Sequence, residues 1–225
     1  VGGNVAVYAL GASDGGSANL NGGLELRNSE IHTGGGSVDI KGVGDYLGST
    51  SYVAGVIIGG GSSITTGAGD ISITGIVGDN ATASNGAAVW LGNRMIDPNE
   101  STGDVLLEAT SGAINLEGIG GSSSLSDWGL GVALGNRDDN ESVSVKTHSG
   151  NITLNGDTNY SGSLSDQSAV QFQNSGSTNR VSVVSTTGNI LIKGKIPSTS
   201  EDDTWSETGI RFTSADASDS IMIGY

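Results

Sequence analysis

One phrase recurs along this 225-residue chain: a Thr-and-Gly turn followed by apolar residues that alternate with polar ones. It reads IHTGGGSVDIKG, TTGAGDISITG, ATSGAINLEG, THSGNITLNG and TTGNILIKG in chain order. Its leading apolar residues, including one in the opening GNVAVYAL, stand 33, 33, 43, 38 and 38 residues apart: Val5, Val38, Ile71, Ile114, Ile152 and Ile190. A repeat of this length is typical of solenoids, in which each unit buries its apolar face only against its neighbours.

Two further blocks follow the phrase in every unit. The second reads GLELRN, GVIIGG, AVWLGN, GVALGN, AVQFQN and GIRFTS, and the third reads SEIHT, SSITT, DVLLEA, SVSVKT, RVSVVS and SIMIGY. Apolar and polar residues alternate in these blocks, which is the pattern of a strand with one buried face. The sequence therefore predicts an all-β chain with a single domain over 1–225, a right-handed parallel β-helix of about six coils with three short strands each.

The inward residues of the first strands are expected to form vertical apolar stacks. These core residues are Val38, Ile40, Ile71, Ile73, Ile114, Leu116, Ile152, Leu154, Ile190 and Ile192. A glycine ends the same block at Gly42, Gly75, Gly118, Gly156 and Gly194, where we expect corners that need positive φ or close backbone packing.

The corner after the second strand carries asparagine in four units: Asn28, Asn93, Asn136 and Asn174. Stacked asparagines pass amide hydrogen bonds from coil to coil, so an Asn ladder is one interpretation. Asparagine also tolerates left-handed turn geometry, and this second interpretation stays open beside the first.

Long loops between the first and second strands are predicted to lie on one side of the solenoid. They are rich in Ser, Gly, Asp and Thr and carry Tyr46, Tyr52, Trp128, Tyr160 and Trp205. A shallow surface with aromatic rings and hydroxyls suits a sugar, so these aromatics are candidate ligand-facing residues. The alternative is that each aromatic folds its own loop onto the solenoid.

The T-x-G-x-I-x-L-x-G phrases resemble the repeats of filamentous haemagglutinin and related two-partner-secretion exoproteins, over nearly all six units. This resemblance implies a secreted or surface-anchored bacterial β-helix that acts in adhesion, in a biofilm matrix or as a stalk. The implied partners are glycans of host or neighbouring cells or of the matrix. The implied location is extracellular or at the cell surface.

Charge and composition exclude several other classes. The 24 Asp and Glu residues outnumber the 9 Lys and Arg residues, and the resulting formal charge of −15 disfavours nucleic-acid partners. No apolar run approaches the roughly 20 residues of a bilayer-spanning helix, so we expect no membrane insertion. The chain has no cysteine, which excludes disulfides and thiolate metal sites.

Catalytic and metal-binding patterns are weak, so the chain is expected to be neither an enzyme nor a cofactor protein. A polysaccharide lyase or hydrolase is the alternative, with acidic candidates Asp138, Asp139, Glu141, Glu201, Asp202, Asp203 and Glu207. No calcium-loop motif surrounds them, and solvated charge is the favoured interpretation, with weak calcium binding left open. His32 and His148 fall in different coils, too far apart to share a metal ion.

Two further sequence features are the N-glycosylation sequons and the strand patterns at the two ends of the chain. Candidate glycosylation sites in loops are Asn80, Asn99 and Asn140, whereas the sequon residue Asn151 begins a strand.

Strand patterns run from GNVAVYAL to SIMIGY, so no cap is expected at either end. An uncapped solenoid is either a segment of a longer one or a subunit that stacks head to tail on other copies.

Overall fold

The chain folds into stacked coils of β-strands. The structure is a computed structural model that describes residues 2–11, 20–45, 50–79, 81–92, 103–121, 124–136, 142–160, 166–174, 180–196, 206–214 and 220–224. In these residues every regular element is a strand, and the strands form three parallel sheets of six. Each coil contributes one strand to each sheet, which confirms the predicted parallel β-helix with three strands per coil. The described residues include no helix long and apolar enough to cross a membrane.

The first sheet contains the repeated phrase. Its strands, in spatial order, are β1 (Val5–Leu10), β4 (Val38–Gly44), β7 (Ile71–Val77), β10 (Ile114–Gly120), β13 (Ile152–Asp157) and β16 (Ile190–Lys195). The register joins equivalent positions of the repeat, as in Val38 opposite Ile71 and Ile114 opposite Ile152. A slip of one residue would turn every apolar side chain outward, so burial of one face sets this register.

The second and third sheets complete each coil. The second consists of β2 (Leu20–Arg27), β5 (Thr50–Gly59), β8 (Thr82–Leu91), β11 (Ser124–Asn136), β14 (Asp166–Asn174) and β17 (Ser206–Ser214). The third consists of β3 (Glu30–His32), β6 (Ser63–Thr66), β9 (Val105–Ala109), β12 (Ser142–Thr147), β15 (Arg180–Ser185) and β18 (Ser220–Gly224). Coil 1 contains β1 to β3, and the numbering runs to coil 6 with β16 to β18.

The central core lies between the three sheets. The predicted stack residues of coils 2 to 5, from Val38 to Leu154, are all at most 1% exposed. Ile190 and Ile192 of coil 6 are partly buried and pack against this core. Phe172 adds an aromatic layer, with its ring centroid 4.8 Å from that of Phe212. Full burial of one such side chain contributes about 1.5–3 kcal/mol, so the stack is the main source of stability.

The five glycines predicted as corners lie inside the first-sheet strands instead. Their φ angles are outside the left-handed region, so close packing, and not turn geometry, requires them. A Cβ on Gly75 would lie 1.8 Å from the carbonyl oxygen of Ala88, and one on Gly156 would lie 1.8 Å from that of Ala169. The glycines therefore let the second-sheet backbone cross very close to the first sheet.

The second sheet is interrupted at the same crossing. In every strand its hydrogen-bonded register skips the same equivalent position: Gly23, Gly55, Ala88, Gly131, Ala169 and Gly209. After this break Val56 and Ile58 face the central core, whereas Val53 before it belongs to a separate cluster. The break changes the phase of the alternation, as a bulge does.

The turn from the third strand to the first explains the Thr-and-Gly part of the phrase. Thr147 Oγ1 donates to the Gly112 carbonyl of the preceding coil at 3.1 Å and accepts from Gly150 N at 3.1 Å. Ser185 Oγ donates to the Gly150 carbonyl at 2.7 Å in the same way. A Cβ on Gly150 would lie 1.9 Å from the Gly112 carbonyl oxygen, so only glycine fits. Ala109 is the register partner of Thr147 and has no hydroxyl to offer.

Candidate functional site

Two predicted ligand-facing aromatics lie in one column of the second sheet. Tyr52 and Trp128 were expected in loops, but they lie in β5 and β11, which begin before the predicted strands. The register places Tyr52 opposite Asn85 and Asn85 opposite Trp128, so the three residues follow one another through coils 2, 3 and 4. Both aromatics are half-buried. Tyr46 and Trp205 lie outside the described residues.

An apolar patch continues this column on the outer face of the second sheet. Side chains alternate along a strand, so Ile57, between the core residues Val56 and Ile58, points away from the central core. It belongs to a buried cluster that the register also arranges in columns: Ala54, Ile57, Ala87, Trp90, Leu130 and Ala133. Coils 2 to 4 therefore carry an apolar outer face. The equivalent positions of coil 5, Ser168 and Gln171, are polar.

Tyr160 does not face a ligand, which corrects the prediction for this residue. Its side chain is 5% exposed, and its hydroxyl donates to the Leu130 carbonyl at 2.9 Å. The ring lies against two glycines, because a Cβ on Gly120 or Gly129 would be 2.6 or 2.3 Å from it. Burial raises the pKa of Tyr160 well above its usual range. Tyr160 thus follows the alternative interpretation, in which the aromatic folds its own segment onto the solenoid.

A groove crosses the outer face of the third sheet. Its volume is about 380 Å³, and it extends from coil 3 to coil 6 along Glu108, Ala109, Thr110, Ser144, Lys146, Thr147, His148, Ser182, Val184, Thr186 and Met222. Lys146 Nζ forms an ion pair with Glu108 Oε2 at 3.2 Å, and Ser182 Oγ donates to Ser144 Oγ at 3.1 Å. No sequence pattern singled out this groove, because its residues lie on strands and turns of successive coils that are 38 or more residues apart in the chain.

The asparagine corner follows the turn interpretation at Asn28, whereas Asn136 and Asn174 lie in strands without left-handed φ. Asn28 has φ of 44° and is exposed, so asparagine there accommodates left-handed geometry. Asn174 Nδ2 donates to the Ser220 carbonyl at 3.3 Å. Asn93 and the side chain of Asn136 lie outside the described residues, so the Asn ladder stays a prediction.

A polar ladder exists at another corner, just before the first strand of each coil. Asn4 Oδ1 accepts from Ser37 N at 2.9 Å, Ser37 Oγ from Asp70 N at 3.1 Å, and Asp70 Oδ1 from Ala113 N at 2.7 Å. Asn151 Oδ1 accepts from Asn189 N at 2.9 Å one coil further on. The sequence feature that indicates this ladder is the Asn, Ser or Asp that precedes the leading apolar residue in most units.

The remaining candidate acidic, glycosylation and histidine residues are either exposed or outside the described residues. Asp138, Asp139, Glu141, Glu201, Asp202, Asp203 and the side chain of Glu207 lie outside the described residues, as do the sequon residues Asn80, Asn99 and Asn140. His32 and His148 are both exposed and lie in coils 1 and 4, with His32 Nδ1 2.7 Å from Thr65 Oγ1. Among the residues that the structure describes, no three His, Asp or Glu side chains form a group that could hold a metal ion.

Comparisons with protein-family models, with curated proteins and with solved structures find no match for this chain. The resemblance of the repeats to filamentous haemagglutinin-like exoproteins therefore stays a prediction from the residues alone. Function has to follow from the faces of the solenoid, because a fold by itself does not specify one.

Proposed function

We propose that this chain is an extracellular structural and adhesive β-solenoid of a bacterial surface adhesin, stalk or fibre, and that it holds a glycan along the outer face of its second sheet. The observation that carries the proposal is the column Tyr52, Asn85, Trp128. Here two half-buried aromatic side chains lie two coils apart on one sheet.

The spacing of the column suits an extended sugar chain. Neighbouring strands are about 4.8 Å apart, so two coils separate the rings by roughly 10 Å along the solenoid axis. This is close to the length of a disaccharide unit in an extended β-linked glycan. Each aromatic ring offers a flat apolar surface to the C–H face of a sugar. Asn85, which is 8% exposed, occupies the register position between them.

The scaffold favours such a ligand in two further ways. Strands of a parallel sheet hold side chains more rigidly than loops do, which lowers the entropic cost of binding. The formal charge of −15 repels polyanions at long range, so a neutral glycan meets the weaker electrostatic barrier. The resemblance of the repeats to surface exoproteins supports the same location and partner class.

Paired substitutions test the adhesive site. A glycan microarray and binding to intact cells would compare wild type with Tyr52→Ala/Trp128→Ala. Tyr8→Ala is the matched control, because Tyr8 is 63% exposed on the first sheet in coil 1. We expect binding to fall about tenfold or more in the double variant, as for aromatic anchors elsewhere, and to persist in the control.

Two outcomes would contradict the adhesive proposal. Unchanged glycan binding by a folded Tyr52→Ala/Trp128→Ala variant would show that the aromatic column is not the binding site. Release of new sugar chain ends on incubation with a polysaccharide would instead favour the lyase or hydrolase alternative.

The structural part of the proposal has its own measurement. Six coils at about 4.8 Å per coil span only roughly 30 Å, so electron microscopy at several protein concentrations distinguishes two arrangements. Fibres far longer than this would support head-to-tail stacking of copies. Discrete short rods would support a segment of a longer stalk.

A further inference from the structure

We propose that the groove on the third sheet is a second binding site, which takes a short neutral oligosaccharide laid along the solenoid axis. This site is independent of the aromatic column on the second sheet. Three observations lead to it: the shape of the groove, its charge balance and the mixture of side chains along its floor.

The shape selects an extended ligand. The register aligns Ser144 with Ser182 and Ser182 with Met222, and aligns Glu108 with Lys146. Four coils span roughly 14 Å at about 4.8 Å per strand, which is the length of a few linked sugar units. The volume of about 380 Å³ falls within the range of ligand sites, roughly 300–1,000 Å³.

The charge balance selects a neutral ligand. Glu108 and Lys146 are about equally exposed and form an ion pair, so their two charges cancel on the floor of the groove. A polyanion would have to displace Glu108 and approach a chain with a formal charge of −15. A basic peptide would have to displace Lys146 from its ion pair with Glu108. A polyhydroxylated ligand meets neither barrier, and the ion pair offers it both donors and an acceptor.

The side chains match the two kinds of surface on a sugar. The hydroxyl groups of Ser144 and Ser182 form one row with the exposed Met222, and Val184 lies beside them. Hydroxyls and the ion pair suit the hydroxyl edge of a sugar ring, whereas Met222 and Val184 suit its C–H face. The backbone beneath is fixed, because His148 N donates to the Thr110 carbonyl at 3.1 Å and Thr187 N to the His148 carbonyl at 2.9 Å.

A charge-neutral double substitution tests the groove. Glu108→Gln/Lys146→Gln removes the ion pair and leaves the formal charge of the chain unchanged. The matched control is Asp157→Asn/Lys195→Gln, which removes the ion pair of Lys195 Nζ with Asp157 Oδ2 at 2.8 Å on the first sheet. Isothermal titration calorimetry with cellohexaose, mannohexaose and N-acetylated chitohexaose measures binding, with oligogalacturonate and oligolysine as charged probes.

The expected result is binding of at least one neutral hexaose to wild type and to the control, and a loss of about tenfold or more in the groove variant. Tyr52→Ala/Trp128→Ala leaves this binding in place, so failure of the aromatic column and failure of the groove are distinguishable. If both sites are real, wild type binds two oligosaccharides per chain and each double variant binds one.

Three results would overturn the inference. The first is the absence of binding to all three neutral hexaoses. The second is an equal loss of binding in the groove variant and in its control. The third is tighter binding of oligogalacturonate or oligolysine, which would assign the groove to a charged partner. Circular dichroism of both variants shows that any loss of binding arises in a folded chain.

Discussion

The two corners that flank the first sheet behave differently. The corner that leads into the sheet has five residues between β3 and β4 and four residues at each later turn of the chain. Similar hydroxyl and glycine contacts recur in it. The corner that leads out of the sheet varies from three to ten residues. It holds its own buried cluster, which consists of Val53, Val77, Ala81, Ala83, Ala88, Leu125 and Tyr160.

The difference shows that the entry corner belongs to the repeated scaffold, whereas the exit corner varies in length and contacts from coil to coil. The close glycine contacts of the entry corner join equivalent positions of successive coils, and they recur at every such corner from Gly36 to Gly188. The exit corner shares some backbone hydrogen bonds between coils, such as Gly78 N to the Gly44 carbonyl and Gly121 N to the Val77 carbonyl. The hydrogen bond of Tyr160 with the Leu130 carbonyl, by contrast, joins positions that are not equivalent in the repeat. Substitutions that disturb the buried or closely packed repeated positions should therefore cost more than a substitution at the unique Tyr160 contact.

The largest effect is expected from Ile152→Asp in the central stack. Ile152 is 0% exposed, so the new carboxylate would be buried without a partner, at a cost above about 4 kcal/mol. Thermal unfolding followed by circular dichroism measures this loss. Thr153→Asp changes the next residue, which faces outward, and should melt close to wild type. Equal melting of both variants with wild type would show that the inward assignment is wrong.

The next effect is expected from Gly150→Ala at the entry corner. Its Cβ would lie 1.9 Å from the Gly112 carbonyl oxygen, and the forced backbone shift should cost about 1–3 kcal/mol. Gly35→Ala is the control in the same corner of an earlier coil, because no atom lies within 4 Å of its added Cβ. Chemical denaturation compares the two free energies of unfolding. If Gly35→Ala is as costly as Gly150→Ala, close packing of coils does not explain the glycine.

A smaller effect is expected from Tyr160→Phe at the exit corner. The variant loses the hydrogen bond to the Leu130 carbonyl, which should cost about 1 kcal/mol near neutral pH. Because burial raises the pKa of Tyr160, the fold favours its protonated form. The contribution of the phenol is therefore complete below about pH 10, the usual tyrosine value, and is lost as the pH rises further.

Melting temperatures measured from neutral to alkaline pH test the predicted loss of this stabilisation as the pH rises. We expect the advantage of wild type over Tyr160→Phe to shrink above about pH 10 and then reverse. Tyr8→Phe, at an exposed position, tests whether loss of any phenol gives the same profile. A constant difference between wild type and Tyr160→Phe at all pH values would contradict the burial of the hydroxyl.

The smallest effect is expected from Ala113→Asn, which would fill the gap in the polar ladder. An asparagine there would accept from the backbone of the next coil, as Asn151 does from Asn189, and should stabilise the chain by about 0.5–1 kcal/mol. Asn151→Ala removes an existing rung and should destabilise by a similar amount. Differential scanning calorimetry compares the two variants, and a shift in the same direction for both would contradict the ladder.

The sequence predicted the repeated half of this structure well. The period of two in Ile152, Thr153 and Leu154 depends only on which neighbours are apolar, and the structure buries the first and third of them. The strand count and parallel pairing follow from the repeat, because equivalent positions meet in successive coils.

The prediction was less accurate where one sheet passes close to another. Tyr52 and Trp128 were expected in loops, since the alternation changes phase at the skipped position near Gly55 and hides the start of each second-sheet strand. Gly75 was expected at a corner, but it lies within a strand against the Ala88 carbonyl. Both errors concern contacts between different sheets, which leave no period in the sequence.

The sequence by itself therefore determined the solenoid, its three strands per coil and its inward stacks, because these depend on local alternation and on a repeat that brings like residues together. Tertiary structure alone decided which outward residues share a face. The column of Tyr52 and Trp128, the groove around Lys146 and the burial of Tyr160 all join residues at least 30 positions apart. The physical reason is that stacking translates whole coils along the axis, and this turns distant positions into neighbours about 4.8 Å apart.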